Sequence, residues 1–397
     1  MKNIAIYGIG GLYNFGCEAI LRGTVEYIRN IYGDSVNIVY YSRNIREDSK
    51  VAKSMGIGVV DIGRKTSFFK KIISKIIDIL EIPIVPFFKD EFEKIIKNSD
   101  VIVSVGGDIY TIPNYLREKK RYRYVNYLVE FGEKALKKGK TIIIYGASIG
   151  PFGYYEKALN YYINHLKKVD QIICREMESV EYLKREGVID NVMFLPDPAF
   201  LVEHSNWKRN LKYLGINLSE LSFIETYGKV SEGKLVSICN LLNELSRITE
   251  LPLMLIPHVL SPYTPADNDF IFLKKIYDRL AENVKTNTAL VKPGSFIDAK
   301  QYLRQCKFVI SARMHCAVNA VIEGVPSIFL SYSQKAKGMS YFIYGEDWLC
   351  VSMQQMDTKL IPTVKKLIEK YDEVNHHLER RNLEIQNIYK DYFQIYK

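Results

Sequence analysis

Short runs of aliphatic and β-branched residues, each followed by a loop and then a segment of helical periodicity, recur along the chain. In the first half they fall at 3–9, 36–41, 101–105, 141–145, 171–174 and 192–195. Nearly unbroken apolar runs of this kind suit parallel strands covered on both faces. Between them the spacing predicts helices over 17–29, 122–138 and 177–185. The last carries Met177, Val180 and Leu183 on one stripe and ends near Gly187. Such alternation predicts a doubly wound α/β domain.

The stretch PDPAFLVEHSNWKRN (196–210) interrupts the rhythm with two prolines and polar residues and reads as a linker. Strand-like runs then return at 211–216, 252–256, 308–311 and 326–332, with helices among them at 234–248 and 270–280. The reading is therefore two Rossmann-like domains, 1–200 and 211–360, facing a cleft where ligands usually sit. One long, strongly charged helix is expected over the C-terminal region 361–397, running from 361 to about 389. Segment 66–92, TSFFKKIISKIIDILEIPIVPFFKDEF, is apolar and basic. It suits either an amphipathic element on an anionic bilayer or a buried helix with its loop. LREKKRYRY (116–124) suits either a surface for anionic groups or a solvated helix face.

The 397 residues carry a formal charge of +10, which favours an anionic partner or simply a solubilising surface. Charge alone supports nucleic-acid binding, so none is expected. The six cysteines form no C-x-x-C pair, which argues against a zinc ribbon or a disulfide framework and for a reducing compartment. No apolar stretch of about 18 residues is present, and MKNIAIYGIGG leads straight into a strand-like run. The expected location is cytoplasmic, with peripheral contact at the inner face of the membrane through 66–92 as a further option.

In parallel α/β sheets, ligands bind beyond the carboxyl ends of the strands. The loop after the first strand, GIGGLYNFGCEAILRGT (8–24), lacks the G-x-G-x-x-G spacing, and the second strand ends in YYSRN without a ribose-binding acid. This excludes an ordinary NAD site and leaves Asn14 and Glu18 as cleft candidates; Glu18 also suits the first turn of a helix. GGDIYTIPN (106–114) offers Asp108 to sugar hydroxyls, and YGASIGPFG (145–153), with Ser148, is a similar loop. Arg175 ends the strand 171–174, to bind an anion or to pair with Glu176 or Glu178. His258 follows a strand of the second half, with Asp267 and Asp269 further on. In SARMHCAVNAVIEGVPSIFLSYSQKAKG (311–338), a strand, helix and strand in succession make the two strands parallel. Arg313 and His315 then stand at one strand end and Lys335 just past the next, an anion site where a proton moves.

These residues resemble the polysaccharide pyruvyl transferases over nearly the whole length. The resemblance is carried by Asn14–Ile20, the Gly-Gly-Asp loop 106–108, Ile-Gly-Pro 149–151, Arg175–Ser179, Asp-Pro-Ala-Phe 197–200, Pro-His 257–258 and R-x-H…G-V-P…S-Y-x-x-K from Arg313 to Lys335. Cys17 stands where the commoner pattern has Asp, and Ser333-Gln334 where it has Asp-Pro. The resemblance implies a GT-B-like pair of domains. It also implies transfer of a pyruvyl group from phosphoenolpyruvate to two sugar hydroxyls, giving a ketal and phosphate. Arg175, His315 and Lys335 match the family's donor-site Arg, His and Lys. On this reading His315 handles the proton with Arg313 assisting, while Asn14, Glu18, Asp108, Ser148 and His258 serve the acceptor or cleft. No metal and no cofactor beyond the co-substrate are required, and the acceptor is a glycan, free or lipid-linked. The closest alternative is a GT-B glycosyltransferase using a nucleotide sugar.

Overall fold

The computed structural model describes residues 1–62, 73, 75–77, 80, 82, 90–107, 109–202, 209–332 and 334–395. Most of segment 66–92, and Asp108, therefore lie outside the described residues.

The first sheet runs β3-β2-β1-β4-β5-β6-β7, all strands parallel. Its strands are β1 (Asn3–Tyr7), β2 (Asn37–Ser42), β3 (Gly58–Asp61), β4 (Val101–Val105), β5 (Thr141–Ala147), β6 (Gln171–Cys174) and β7 (Val192–Phe194). Every residue of β4 is buried, as a strand covered on both faces requires. One face packs Ile102, Ile142 and Ile144 with Phe131, Tyr162 and Leu166 in a single core. On the other, Tyr145 stacks on Tyr27 at 4.2 Å, and the Tyr27 hydroxyl meets that of Tyr392 at 3.1 Å.

The second sheet runs β10-β9-β8-β11-β12-β13, again parallel. It comprises β8 (Tyr213–Asn217), β9 (Leu253–Leu255), β10 (Thr288–Leu290), β11 (Cys306–Ser311), β12 (Ser327–Ser331) and β13 (Cys350–Ser352). β11 pairs with β12 in the register Val309↔Ser327 and Ser311↔Phe329. The strand-helix-strand unit read from 311–338 is thus present, with both carboxyl ends on one sheet edge.

The chain divides into two compact units. One holds Met1–Leu12, Ile20–Leu201 and Asp391–Lys397; the other holds Tyr13–Ala19 and Val202–Lys390. Segment 13–19 belongs with the second because it forms a short antiparallel bridge there. Phe15 N–H donates to the His258 carbonyl at 3.0 Å, and Leu260 N–H to the Tyr13 carbonyl at 3.0 Å. Asn14 and Glu18 are consequently residues of the second unit.

Three differences from the sequence expectation have physical causes. β3, β10 and β13 are edge strands of four, three and three residues, mostly half-buried or exposed, and they lack the apolar run that marks the equally short β7 and β9. The C-terminal region holds two helices, Met356–Glu369 and Tyr371–Ile395, separated at Lys370. Tyr371 is anchored by donating to the Lys307 carbonyl at 3.1 Å, and no glycine or proline marks the break. The helix expected over 122–138 spans Tyr127–Lys137, because Asn126 caps it by accepting from Leu128 N–H at 2.9 Å. The tyrosines of the basic run are packing groups: Tyr122 is buried and donates to the Phe152 carbonyl at 2.9 Å, and Tyr124 meets Tyr155 and Tyr161 edge-on.

Candidate functional site

In each sheet the strand order reverses at one point, between β1 and β4 in the first and between β8 and β11 in the second. Open α/β sheets bind ligands at the carboxyl ends around such points. The motif residues gather at two clusters, one within each unit.

In the first unit the centre is Arg175, one residue past β6, with a side chain only 3% exposed. Its Nη1 pairs with Asp197 Oδ2 at 2.9 Å and its Nε donates to Ser148 Oγ at 3.1 Å. This long-range pair was not among the partners weighed from sequence, Glu176 and Glu178. Asp197 also accepts from Ala199 N–H at 2.9 Å, which holds the Asp-Pro-Ala-Phe loop. A Cβ on Gly107 would stand 2.9 Å from Arg175 Nη2, so the Gly-Gly loop is bare where the guanidinium lies across it. Ser148 N–H donates to the Gly107 carbonyl at 2.7 Å, and Ile149 N–H to Ser179 Oγ at 2.9 Å. Three other motifs, the Gly-Gly-Asp, Ile-Gly-Pro and Asp-Pro-Ala-Phe loops, are thereby tied directly or through Ser148 and Ser179 to the motif that carries this buried arginine. The glycines of the first loop serve the fold too: Gly8 has φ +106°, and a Cβ there would lie 2.5 Å from the Val105 carbonyl oxygen.

In the second unit the switch point is built from polar side chains. Asn217, the fully buried last residue of β8, accepts from Ser311 Oγ at 3.1 Å and from Arg313 N–H at 3.0 Å. Its amide nitrogen donates to the Ile256 carbonyl at 2.9 Å and to Asp269 Oδ2 at 3.2 Å. Asp269 Oδ2 also accepts the backbone N–H groups of His258 and Val259, both at 3.0 Å. Its Oδ1 takes Arg313 Nε at 3.1 Å and Nη2 at 2.9 Å, and Asp267 Oδ1 takes the same Nη2 at 2.7 Å. Burial works against the Arg313 charge, but Asp269 and Asp267 outweigh it and raise its pKa above the ordinary arginine value. The cation expected to bind an anion is therefore already matched by two carboxylates, and the local charge is well below that of three unopposed cations.

Arg313 is the N-cap residue of the helix Met314–Ile322, so His315 lies in the first turn, where backbone N–H groups precede the hydrogen-bonded ladder. His315 is half-buried and packs on segment 13–19: a Cβ on Gly16 would lie 2.7 Å from His315 Cβ. Asn14 shapes that segment, its Oδ1 accepting from Gly16 N–H at 2.9 Å, and Glu18 is buried in the first turn of the helix Phe15–Tyr32, as the sequence allowed. Lys335, half-buried, stands in the first turn of the helix Gln334–Tyr344 beyond β12, and burial lowers its pKa.

His258 is 1% exposed, with its Nε2 3.0 Å from the Asn319 amide nitrogen and Phe15 edge-on to its ring. Burial, aided by the nearby charges of His315 and Arg313, pushes its pKa down to about 3, so the imidazole is neutral. Asn217, Asn319 and Asp197 were not among the sequence candidates. Asn319 had a faint signal, a polar residue on the otherwise apolar helix MHCAVNAVI. Among the described residues no group of three or more His, Cys, Asp or Glu could hold a metal ion.

Comparison with known proteins accords with this arrangement. The chain is 22% identical over 315 residues to the amylovoran biosynthesis protein AmsJ of Erwinia amylovora, covering 75% of this chain and 72% of that one. Among solved structures it is similar to S. aureus MnaA bound to UDP (TM-score 0.60, 13% identity, 99% of this chain and 97% of that one). It is also similar to Anabaena HepE in complex with UDP and glucose (TM-score 0.57, 10% identity, 100% and 99%). A third likeness is to the UDP-GlcNAc 2-epimerase of Methanocaldococcus jannaschii (TM-score 0.55, 14% identity, 92% and 92%). At these identities the structures establish the fold, two parallel-sheet α/β domains of the GT-B type. The family model for polysaccharide pyruvyl transferase matches residues 14–334, from the asparagine beside Gly16 almost to Lys335. The chain belongs to the polysaccharide pyruvyl transferase family.

Proposed function

We propose that this enzyme transfers the pyruvyl group of phosphoenolpyruvate to two hydroxyls of a sugar in a surface polysaccharide or its precursor. The observation that carries the reading is that Arg313, His315 and Lys335 follow the carboxyl ends of the adjacent parallel strands β11 and β12, the first two inside the family match and Lys335 one residue beyond it.

The chemistry assigns a task to each group. A proton goes to the methylene carbon of the donor, making a methyl group and leaving positive charge on C2. One sugar hydroxyl adds there and loses its proton. The C2–O bond to phosphate then breaks, and the second hydroxyl closes the ketal. His315, half-buried in the first turn of its helix, is assigned the proton. Lys335 is assigned an anionic group of the donor, a charge that the N-terminus of its helix also favours. Ser148 acts through Arg175, whose guanidinium it holds. His258, buried and neutral, supports its neighbours rather than reaching a sugar. Asn14 and Glu18 shape the segment on which His315 rests, and Asp108 remains a proposed acceptor contact. A lipid-linked acceptor would bring the reaction to the cytoplasmic face of the membrane. The exposed Ile73, Ile76 and Leu80, spaced as one helical stripe beside exposed Lys75, support peripheral contact there.

The test is incubation with phosphoenolpyruvate and oligosaccharide precursors of the source cell's own surface polysaccharide. Equimolar release of phosphate and appearance of ketal-bound pyruvate are expected, and both should vanish in His315→Gln. Consumption of a UDP- or GDP-sugar with no dependence on phosphoenolpyruvate would replace this reading with glycosyl transfer.

A further inference from the structure

Arg313 is held by two carboxylates that differ in kind. Asp269 has a side chain 0% exposed and five hydrogen-bond donors directed at it, from Asn217, His258, Val259 and twice from Arg313. Removing it would strand several buried groups, so it is a fixed part of the sheet edge. Asp267 is 27% exposed and sits on the short turn Pro265–Asp267. Among the described residues its carboxylate accepts one hydrogen bond, from Arg313 Nη2 at 2.7 Å.

Arg313 itself is fixed by its other bonds. Its backbone N–H is held by Asn217, and its Nε and Nη2 are held by Asp269. Loss of Asp267 would leave the guanidinium in place, still charged, with one donor released toward solvent. An oxygen of a phosphate or carboxylate ligand presents the same acceptor to that donor as Asp267 Oδ1 does. Glu225 lies within electrostatic reach of both Arg313 and Asp267, and Tyr332 of all three. An incoming anion therefore meets the like charges of Asp267 and Glu225, and displacing Asp267 removes the one that occupies the guanidinium.

We propose that Asp267 is a displaceable counter-ion, occupying Arg313 in the empty enzyme and yielding its place to an anionic group of the donor. The exchange keeps Arg313 neutralised in both states and makes donor affinity a difference between two anions competing for one guanidinium. It also raises selectivity, because an anion too weak to displace a tethered carboxylate does not enter. The proposal rests on the reading of this strand-end cluster as a donor-anion site.

The test is titration calorimetry of phosphoenolpyruvate, and separately of inorganic phosphate, into wild type, Asp267→Asn and Asp267→Ala. A partly exposed ion pair is worth up to about 1 kcal/mol, so its removal should tighten binding by about fivefold. Both variants should show the tighter binding, and melting curves confirm that each is folded; the pair of substitutions guards against one failing to fold. Unchanged or weaker binding of both probes in a folded variant overturns the proposal. Failure of both probes to bind any of the three proteins overturns it as well. Tighter phosphate binding with no binding of phosphoenolpyruvate would uphold the counter-ion and remove the donor assignment instead.

Discussion

Arg175 in the first unit and Arg313 in the second both follow a sheet strand, and both are ion-paired to aspartate. The two pairings lead to different expectations. Arg175 and Asp197 have side chains 3% and 0% exposed, and the loops of three other motifs are tied to the arginine's own directly or through Ser148 and Ser179. Arg313 has one sealed partner, Asp269, and one open to water, Asp267. A sealed pair fixes geometry, because breaking it strands a buried charge. An open pair costs little to break and can be exchanged. The first arrangement suits a rigid platform, the second a place where charge is handed over.

Four substitutions sharpen this contrast, from the largest expected effect downward. Asp197→Ala leaves Arg175 buried without its partner, and urea denaturation should show a loss of about 3–5 kcal/mol. A loss below about 1 kcal/mol would mean that the pair is not sealed in solution.

The second concerns acid. His258 has its folded pKa depressed to about 3 from an ordinary 6.5. Between those values the unfolded chain binds the extra proton and the folded chain does not, so stability falls as pH drops through that window. His258→Gln has no such proton to take up, and its stability should fall less steeply with acid than that of wild type. Parallel pH profiles would show that the imidazole is not held neutral.

Gly16→Ala comes third. Its methyl group would sit 2.7 Å from His315 Cβ, so the helix start or segment 13–19 must shift. Overpacking of this kind costs about 1–3 kcal/mol, and turnover should fall more than donor affinity does. Fully retained turnover would separate His315 from the chemistry. The smallest effect belongs to Asp267→Asn, a change within about 1 kcal/mol in folding stability. Its value lies in the contrast with Asp197→Ala, since equal losses would erase the distinction between the two pairs.

The sequence exposed the parts of the molecule that repeat a strong local pattern. Strands buried on both faces, such as Val101–Val105, are legible as apolar runs. The parallel pairing of β11 with β12 follows from the helix between them. The edge strands β3, β10 and β13 are short and lack the apolar run that marks the equally short β7, and the break at Lys370 lies within a continuous charged pattern. The site divides the same way. Cations at strand ends could be found by reading each loop in turn. Their partners could not, because Asp269 is 44 residues from Arg313 in sequence, Asn217 is 96 residues away, and Asp197 is 22 residues from Arg175. Those pairings are set by strand order, which local periodicity does not encode. The motifs found by resemblance did include Asp197, but as part of a loop rather than as the counter-ion of Arg175. Segment 13–19 is the sharpest case: it follows the first strand in sequence yet hydrogen-bonds to the His258 loop.

On the proposed function, the strand-end cations of this chain receive phosphoenolpyruvate, with Lys335 binding it and His315 acting on it. Titration calorimetry of phosphoenolpyruvate into wild type, Lys335→Met and His315→Gln tests this most directly. The account predicts binding to wild type, loss of binding in Lys335→Met, and binding retained in His315→Gln despite loss of turnover. No heat of binding to wild type at millimolar phosphoenolpyruvate, or unaltered binding in Lys335→Met, would contradict it.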